Sequence, residues 1–291
     1  MPARAFSPHT RKSYLNDLFD LKTFIEEERD LRYWKDVAIQ DLQKYLALLD
    51  EQGLKKTTVR RKICSIKTFF HFLVDELIIE TDPALRLIPP RVLEQEARVL
   101  NKQEYQGLLS VIASTRDRTV VTVFLQTGIR LSELVNLNLD DVSLPRHIKK
   151  TGIELGDIRV VRKGGKVDYV PLNWKAAEAL KQWLGERKRK AIIRLAEQKP
   201  IDPDALFLNK YGQRFSQRAV QRMVKKYLDL AGVKNASVHT LRHTMATHMH
   251  LGGMGLPEIK KMLAHASIET TSRYVRASKT LLNENLQKLA L

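Results

Sequence analysis

The chain has a single cysteine, Cys64, in 291 residues. That excludes an internal disulfide framework and points to a reducing compartment, the cytoplasm. Cys64 falls in an apolar-periodic stretch, so a buried, inert thiol is expected. No apolar run approaches the ~20 residues that a membrane-crossing helix needs, and no membrane partner is expected. The opening residues, MPARAFSPHTRKSY, lack the apolar core of a signal peptide. Acid is scarce as well: 33 Asp and Glu stand against 50 Lys and Arg, a formal charge of +17. An excess of that size implies a polyanionic partner, of which nucleic acid is the usual one and an acidic membrane surface the rival. The shortage is also local. From Asn235 to Pro257 there is no Asp or Glu at all. A surface that must face phosphate has reason to exclude carboxylates, because like charges repel.

Two further absences bear on cofactors. The phosphate-cradling loop G-x-x-x-x-G-K-[ST] is missing, so no nucleotide is expected. His239 and His243 have the spacing of a zinc helix, but Thr240 stands where H-E-x-x-H has its glutamate. Asp140 and Asp141 with Glu133 are the carboxylates a Mg²⁺ site could use, but adjacent aspartates point different ways and suit one poorly. No metal and no cofactor are predicted.

What is present suffices for two domains of ordinary size. Ser7-Pro8 suits a helix start. Tyr14, Leu18, Leu21 and Ile25 follow at helical spacing. A second helix is predicted from about Ile39 to Gln52, stopped by Gly53. A third starts near Thr57 and carries Val59, Ile63, Ile66, Phe70 and Leu73 on one face. Its other faces hold Arg60, Arg61, Lys62 and Lys67, read as a solvated helix surface on which Arg60, Arg61 and Lys67 are candidate phosphate contacts. A short fourth helix is expected after Thr81-Asp82-Pro83. Pro89-Pro90-Arg91 and the polar Glu94-Gln95-Glu96 read as a linker, which puts the boundary near residue 93. The domains are thus 1–92, helical and basic, and 93–291.

The second domain opens at Asn101, with Glu104 placed for a reciprocal cap. Val120 to Leu125 is apolar and predicts a buried helix that leads to Thr127-Gly128. Gly128 bends the chain just before Arg130, and Glu133 three residues on can hold that arginine. Residues 157–163 and 166–172 read as two strands joined by a two-residue Gly164-Gly165 turn. The stretch 175–199 is a basic helix containing Arg187-Lys188-Arg189-Lys190, either a solvated face or a DNA contact. Leu206-Phe207-Leu208 is strand-like. Gln217 to Leu230 reads as a helix with Val220, Val224 and Tyr227 on its apolar side, and Arg218 and Arg222 are candidate DNA contacts. The fold expected is mainly α with a small antiparallel β-sheet.

Five of the eight histidines fall between His239 and Tyr274. The stretch contains His239-x-x-Arg242-His243, then Leu-Ala-His265-Ala-Ser-Ile-x-Thr-Thr-x-x-Tyr274. With Thr127-Gly128-Ile129-Arg130-Leu131-Ser132-Glu133 and Arg162-Lys163-Gly-Gly-Lys, this order resembles the tyrosine recombinases, or phage integrases. It is most similar to their compact Xer-type members, over nearly the whole chain. The resemblance implies a two-domain DNA clamp: an N-terminal core-binding (SAM-like) domain and an α+β catalytic domain. It also places the Gln217–Leu230 helix in the major groove. Ala264 departs from the glycine the family often has before its histidine, which leaves the local turn open.

The residue types suit phosphodiester chemistry. Guanidinium forks match phosphate oxygens and stay charged, which fits Arg130 and Arg242. Tyr274 is the nucleophile, His239 its base candidate, His265 a donor to a phosphate oxygen, and Lys163 the acid for the leaving 5′ oxygen, a choice resting on the family register over the nearby Lys166. Glu133 stands behind Arg130. The family implies a 3′-phosphotyrosine intermediate, independent of metal and ATP, and self-assembly into a tetramer on two DNA sites. Leu281, Leu282, Leu286 and Leu289 form an apolar tail that packs on its own domain or links protomers. A type IB topoisomerase-like activity and a non-catalytic DNA-binding regulator remain alternatives. The DNA target and the role of residues 145–156 have no signature in the sequence.

Overall fold

The structure, a computed structural model, describes residues 8–30, 32–92, 97–149, 156–162 and 165–263. The chain divides into two compact units, Met1–Gln95 and Glu96–Leu291.

The first unit is helical. Helix α1 (Pro8–Arg29) begins on its proline, whose fixed φ and missing N–H suit a first turn. Helix α2 (Ile39–Glu51) ends before Gly53, which takes φ +66°. Helix α3 (Lys56–Asp75) follows. Their apolar stripes meet in one core that includes Leu21, Ile25, Leu42, Leu49, Ile63, Ile66, Phe70 and Leu73. Each such side chain, fully buried, contributes about 1.5–3 kcal/mol of transfer free energy.

Three expectations fail here. Cys64 is exposed. One residue past Ile63 on a helix is a rotation of about 100°, which carries it off the Ile63–Ile66–Phe70 stripe. Lys62 is not on a solvated face but buried, with Nζ 2.6 Å from Asp20 Oδ2, 3.5 Å from Asp17 Oδ1 and 3.3 Å from the Tyr45 hydroxyl. Burial alone would push its pKa down, but the hydrogen bonds to Asp20 and Tyr45 outweigh it and hold the ammonium above its usual value. The segment after Thr81-Asp82-Pro83 makes turns, not a helix. Asp82 Oδ1 accepts from Ala84 N–H at 2.7 Å, and Lys67 Nζ donates to the carbonyls of Leu85 and Leu87 at 2.8 and 3.0 Å. Those carbonyls therefore serve α3 rather than a helix of their own.

The second unit is mixed. Helix α4 (Lys102–Ser110) starts on the reciprocal cap: Asn101 Oδ1 accepts from Glu104 N–H at 2.9 Å, and Glu104 Oε2 from Asn101 N–H at 3.0 Å. Helix α5 (Thr115–Thr127) is buried on most sides, as an apolar helix must be, and packs against α7 (Trp174–Ala196) and α9 (Val238–Leu251). Helix α6 (Leu131–Asn136) leads to an antiparallel sheet in the order β1 (Val142–Ser143), β2 (Asp157–Val161), β3 (Val167–Pro171). Helices α8 (Gln217–Leu230) and α10 (Leu256–Leu263) complete it. At Gly156 a Cβ would lie 2.3 Å from the Ser143 carbonyl oxygen, so β1 and β2 can pair this closely only because the residue is glycine. Among the described residues no helix is long and apolar enough to cross a membrane.

The two strands of the hairpin are present: Val161 pairs with Val167, and Arg162 N–H donates to the Lys166 carbonyl at 2.7 Å. Gly165 takes φ +79°, and residues 163–164 of the expected hairpin lie outside the described residues. Arg187, read as solvated or DNA-facing, is buried and donates to the carbonyls of Ala205, Asp202 and Pro203 at 2.8–3.0 Å. Leu206-Phe207-Leu208 forms only isolated bridges around it, Asn138 with Ala205 and Leu208 with Arg214.

Candidate active site

Arg130 occupies the N-cap of α6, in extended conformation. The carboxylate of Glu133 reaches back to it twice: Oε2 accepts the Arg130 backbone N–H at 2.7 Å, and Oε1 accepts Nη1 at 2.8 Å. The Glu133 side chain is 4% exposed and that of Arg130 39%, so the carboxylate is hidden behind a guanidinium that solvent can reach. Just upstream, Gly128 closes α5 in the left-handed region at φ +63°. A Cβ there would meet Leu263 Cδ2 at 2.7 Å and Met245 Sδ at 3.0 Å. Glycine at this position thus permits both the bend that aims Arg130 and the close seating of α9 and α10.

Arg242 enters from α9, one turn after His239. It is 7% exposed, and its guanidinium donates to the Gly128 carbonyl through Nη1 and to the Leu263 carbonyl at 2.6 Å through Nη2. One arginine therefore joins the turn before Arg130 to the C-terminus of α10, where a positive charge is favoured by the helix dipole. His239 is exposed in the first turn of the same helix. Arg130 and Arg242 are thus tied to the same glycine turn between α5 and α6, and His239 stands one turn before Arg242 on α9. Lys163, His265 and Tyr274 lie outside the described residues, as does the leucine tail after them.

Sequence reasoning missed Arg162. It is 8% exposed, with Nη1 3.3 and 3.4 Å from the two Glu133 oxygens and Nη2 3.2 Å from Asp168 Oδ2. The same Nη2 donates to the Met262 carbonyl at 3.1 Å. The only hint in the sequence is its place beside Lys163.

The remaining candidates differ in their commitments. Arg60 on α3 and Arg218 and Arg222 on α8 are exposed. Arg218 and Arg222 are four residues apart, on one face of α8 away from buried Val220, Val224 and Tyr227. Arg61 pairs with Asp17, and Lys67 is held by the two carbonyls described above. Of the other histidines, His248 stacks on Tyr105 with ring centroids 6.4 Å apart. Desolvation holds the His248 imidazole below its usual pKa, partly offset by a backbone hydrogen bond at Leu100. Both rings line a cleft with Asn101, Gln126, Asn173 and Met245 that contains none of the candidate catalytic residues.

Known proteins match this arrangement along the chain. The model of the phage integrase family matches residues 98–280, and that of the phage integrase N-terminal SAM-like domain matches residues 1–77. Tyrosine recombinase XerC of Syntrophus aciditrophicus (strain SB) is 32% identical over 292 residues, covering 94% of this chain and 89% of the relative. Tyrosine recombinase XerD of Oceanobacillus iheyensis is 30% identical over 289 residues, covering 98% and 93%. Among solved structures, the XerH site-specific recombinase bound to difH substrate superposes with a TM-score of 0.70 at 22% identity, covering 90% of this chain and 74% of that one, a likeness of fold. The helical N-terminal unit, the small antiparallel sheet and the helices around it are those of this fold, and the chain belongs to the phage integrase family, the tyrosine recombinases.

Proposed function

We propose that this site-specific recombinase cuts and rejoins double-stranded DNA through Tyr274. The tyrosine oxygen attacks the scissile phosphorus. The bond from phosphorus to the 5′ oxygen breaks, and the 3′ phosphate stays on the tyrosine. Lys163 protonates the departing 5′ oxygen, and His239 takes the phenolic proton. Arg130 and Arg242 stabilise the charge on the non-bridging oxygens, and His265 donates a hydrogen bond to one of them. A 5′-hydroxyl from the partner duplex then attacks the phosphotyrosine and releases Tyr274. Bond energy is kept throughout, so the reaction draws on no ATP, and the two guanidiniums supply the positive charge that a metal would otherwise bring. The observation that carries this reading is the double anchoring of the α5–α6 turn. Glu133 holds Arg130 on one side of it, and Arg242 grips the Gly128 carbonyl on the other.

In this reading residues 1–92 are a DNA-binding domain and residues 93–291 the catalytic domain, acting on the nucleoid in the cytoplasm. Arg60, Arg218 and Arg222 contact phosphates, being exposed cations on helices. Arg61 and Lys67 serve first as internal partners of Asp17 and of the 85–87 turns.

The role of Lys163 has a chemical test. A substrate with sulfur at the 5′ bridging position loses a thiolate, which leaves without a proton. Cleavage by Lys163→Ala should be restored on that substrate, while Arg242→Ala should stay slow. Equal rescue of both variants, or rescue of Lys166→Ala instead, would remove Lys163 from the acid role.

Assembly follows from counting. Each strand cut needs one nucleophile, one chain carries one Tyr274, and exchanging two duplexes cuts four strands. Four protomers on two sites are therefore expected, with the leucines at 281, 282, 286 and 289 as the contact between them. Light scattering of the protein on its DNA should give that stoichiometry, and deleting residues after Ser278 should leave one-site binding while abolishing assembly. A truncated chain that still assembles normally would rule out the tail as the link.

A further inference from the structure

We infer that Arg162 is a positioning residue for strand cleavage, acting through Glu133 on Arg130 and tying the β2–β3 hairpin to the end of α10. The inference rests on the recombinase reading above and extends it to a residue outside the candidate catalytic set.

The geometry is that of a junction. Glu133 Oε1 lies 2.8 Å from Arg130 Nη1 and 3.3 Å from Arg162 Nη1, so one buried oxygen serves two guanidiniums. Its other oxygen accepts the Arg130 backbone N–H at 2.7 Å and faces Arg162 Nη1 at 3.4 Å. Arg162 then reaches two more segments: Asp168 on β3, at 3.3 Å through Nε and 3.2 Å through Nη2, and the Met262 carbonyl near the end of α10 at 3.1 Å. In sequence it stands one residue before Lys163, and Met262 stands three before His265. A single planar guanidinium thus joins the helix that carries Arg130, the strand leading to Lys163 and the helix leading to His265.

Two physical arguments make this more than packing. A carboxylate behind a phosphate-binding arginine cancels part of the field it supports. A second buried cation on that carboxylate offsets it and leaves Arg130 its charge for the phosphate. Arg162 also spends a buried guanidinium where an apolar residue would be less costly to desolvate. Nη1 on Glu133, Nε and Nη2 on Asp168 and Nη2 on the Met262 carbonyl use three nitrogens of one fork, which lysine lacks.

The test uses the full chain and a nicked duplex carrying a site enriched from randomised DNA by the wild-type protein. Single-turnover formation of the covalent adduct is read beside equilibrium binding. Arg162→Ala should bind nearly as tightly as wild type but cleave about 10–100-fold more slowly, the range for a reacting group displaced by about an ångström. Arg162→Lys should recover part of that rate. In a Glu133→Gln background, removing Arg162 should cost less than about twofold more, because a side chain acting through a carboxylate has nothing left to act on. Wild-type cleavage by Arg162→Ala, or losses that multiply in the double variant, would overturn the inference. If Arg162→Ala does not fold, Arg162→Lys with and without Glu133→Gln decides by the same non-additivity. A wild-type chain that forms no adduct on the enriched duplex would count against the recombinase reading instead.

Discussion

Tyr274→Phe should bind DNA close to wild-type affinity and form no covalent adduct. The substitution removes one oxygen and keeps the ring, so packing and charge are conserved while the only proposed nucleophile is lost. Water is a poor substitute, because uncatalysed phosphodiester cleavage is extremely slow. The other seven tyrosines offer no replacement. Tyr45, Tyr105 and Tyr227 serve the interior, and burial raises the pKa of each above its usual value, which disfavours the phenolate an attack requires. Their hydroxyls are also engaged: Tyr45 by Lys62, Tyr105 by Gln126 at 2.8 Å, and Tyr227 by donation to Asp117 at 3.0 Å. Tyr14 and Tyr33 belong to the first unit, which carries no candidate catalytic residue. Tyr169 and Tyr211 are exposed in the second, so Tyr169→Phe and Tyr211→Phe are the controls and should cleave normally. The measurement is denaturing electrophoresis of protein mixed with a nicked, labelled duplex. An adduct that persists in Tyr274→Phe removes Tyr274 from the nucleophile role.

Local chemistry was what the sequence made legible. The Asn101–Glu104 cap, the stop at Gly53, the stripe from Ile63 to Leu73 and the bend at Gly128 each depend on residues a few positions apart. So does the Arg130–Glu133 contact. Patterns at that range have a direct physical reading. What stayed hidden depends on partners far along the chain or on backbone. Lys62 is buried because Asp17 and Asp20 wait on another helix, some forty residues earlier. Arg187 and Lys67 are satisfied by carbonyls, which every residue possesses and no side-chain pattern marks. Arg162 needs α6, β3 and α10 assembled before its contacts exist. In a chain with so many cations, a basic residue read as a surface phosphate contact is as readily an internal clamp. Separating the two took the fold.

Arg130→Ala and Arg242→Ala should each lower single-turnover cleavage by about 10²–10³, the loss typical of removing one preorganised donor to a developing oxyanion. Their effects on stability should differ, and the structure says which way. Removing the Arg130 side chain leaves Glu133 still paired with Arg162, so no buried charge is orphaned and the melting temperature should change little. Removing Arg242 leaves the Gly128 and Leu263 carbonyls without its guanidinium, at a cost of about 1–3 kcal/mol for each that finds no other donor. It also withdraws positive charge from the C-terminus of α10. Arg242→Ala should therefore melt several degrees lower, at about 2–4 °C per kcal/mol for a unit of this size. Arg130→Lys should cleave nearly as poorly as Arg130→Ala. An ammonium supplies charge but cannot bond Glu133 and two phosphate oxygens in one plane. Cleavage is measured on nicked duplex at saturating protein, so that weakened binding does not pass for slow chemistry, and unfolding is followed by calorimetry on the same samples. Near-normal cleavage by either alanine variant would remove that arginine from the phosphate clamp. Equal destabilisation by both would show that Glu133 depends on Arg130 alone, and that Arg162 does not share its charge.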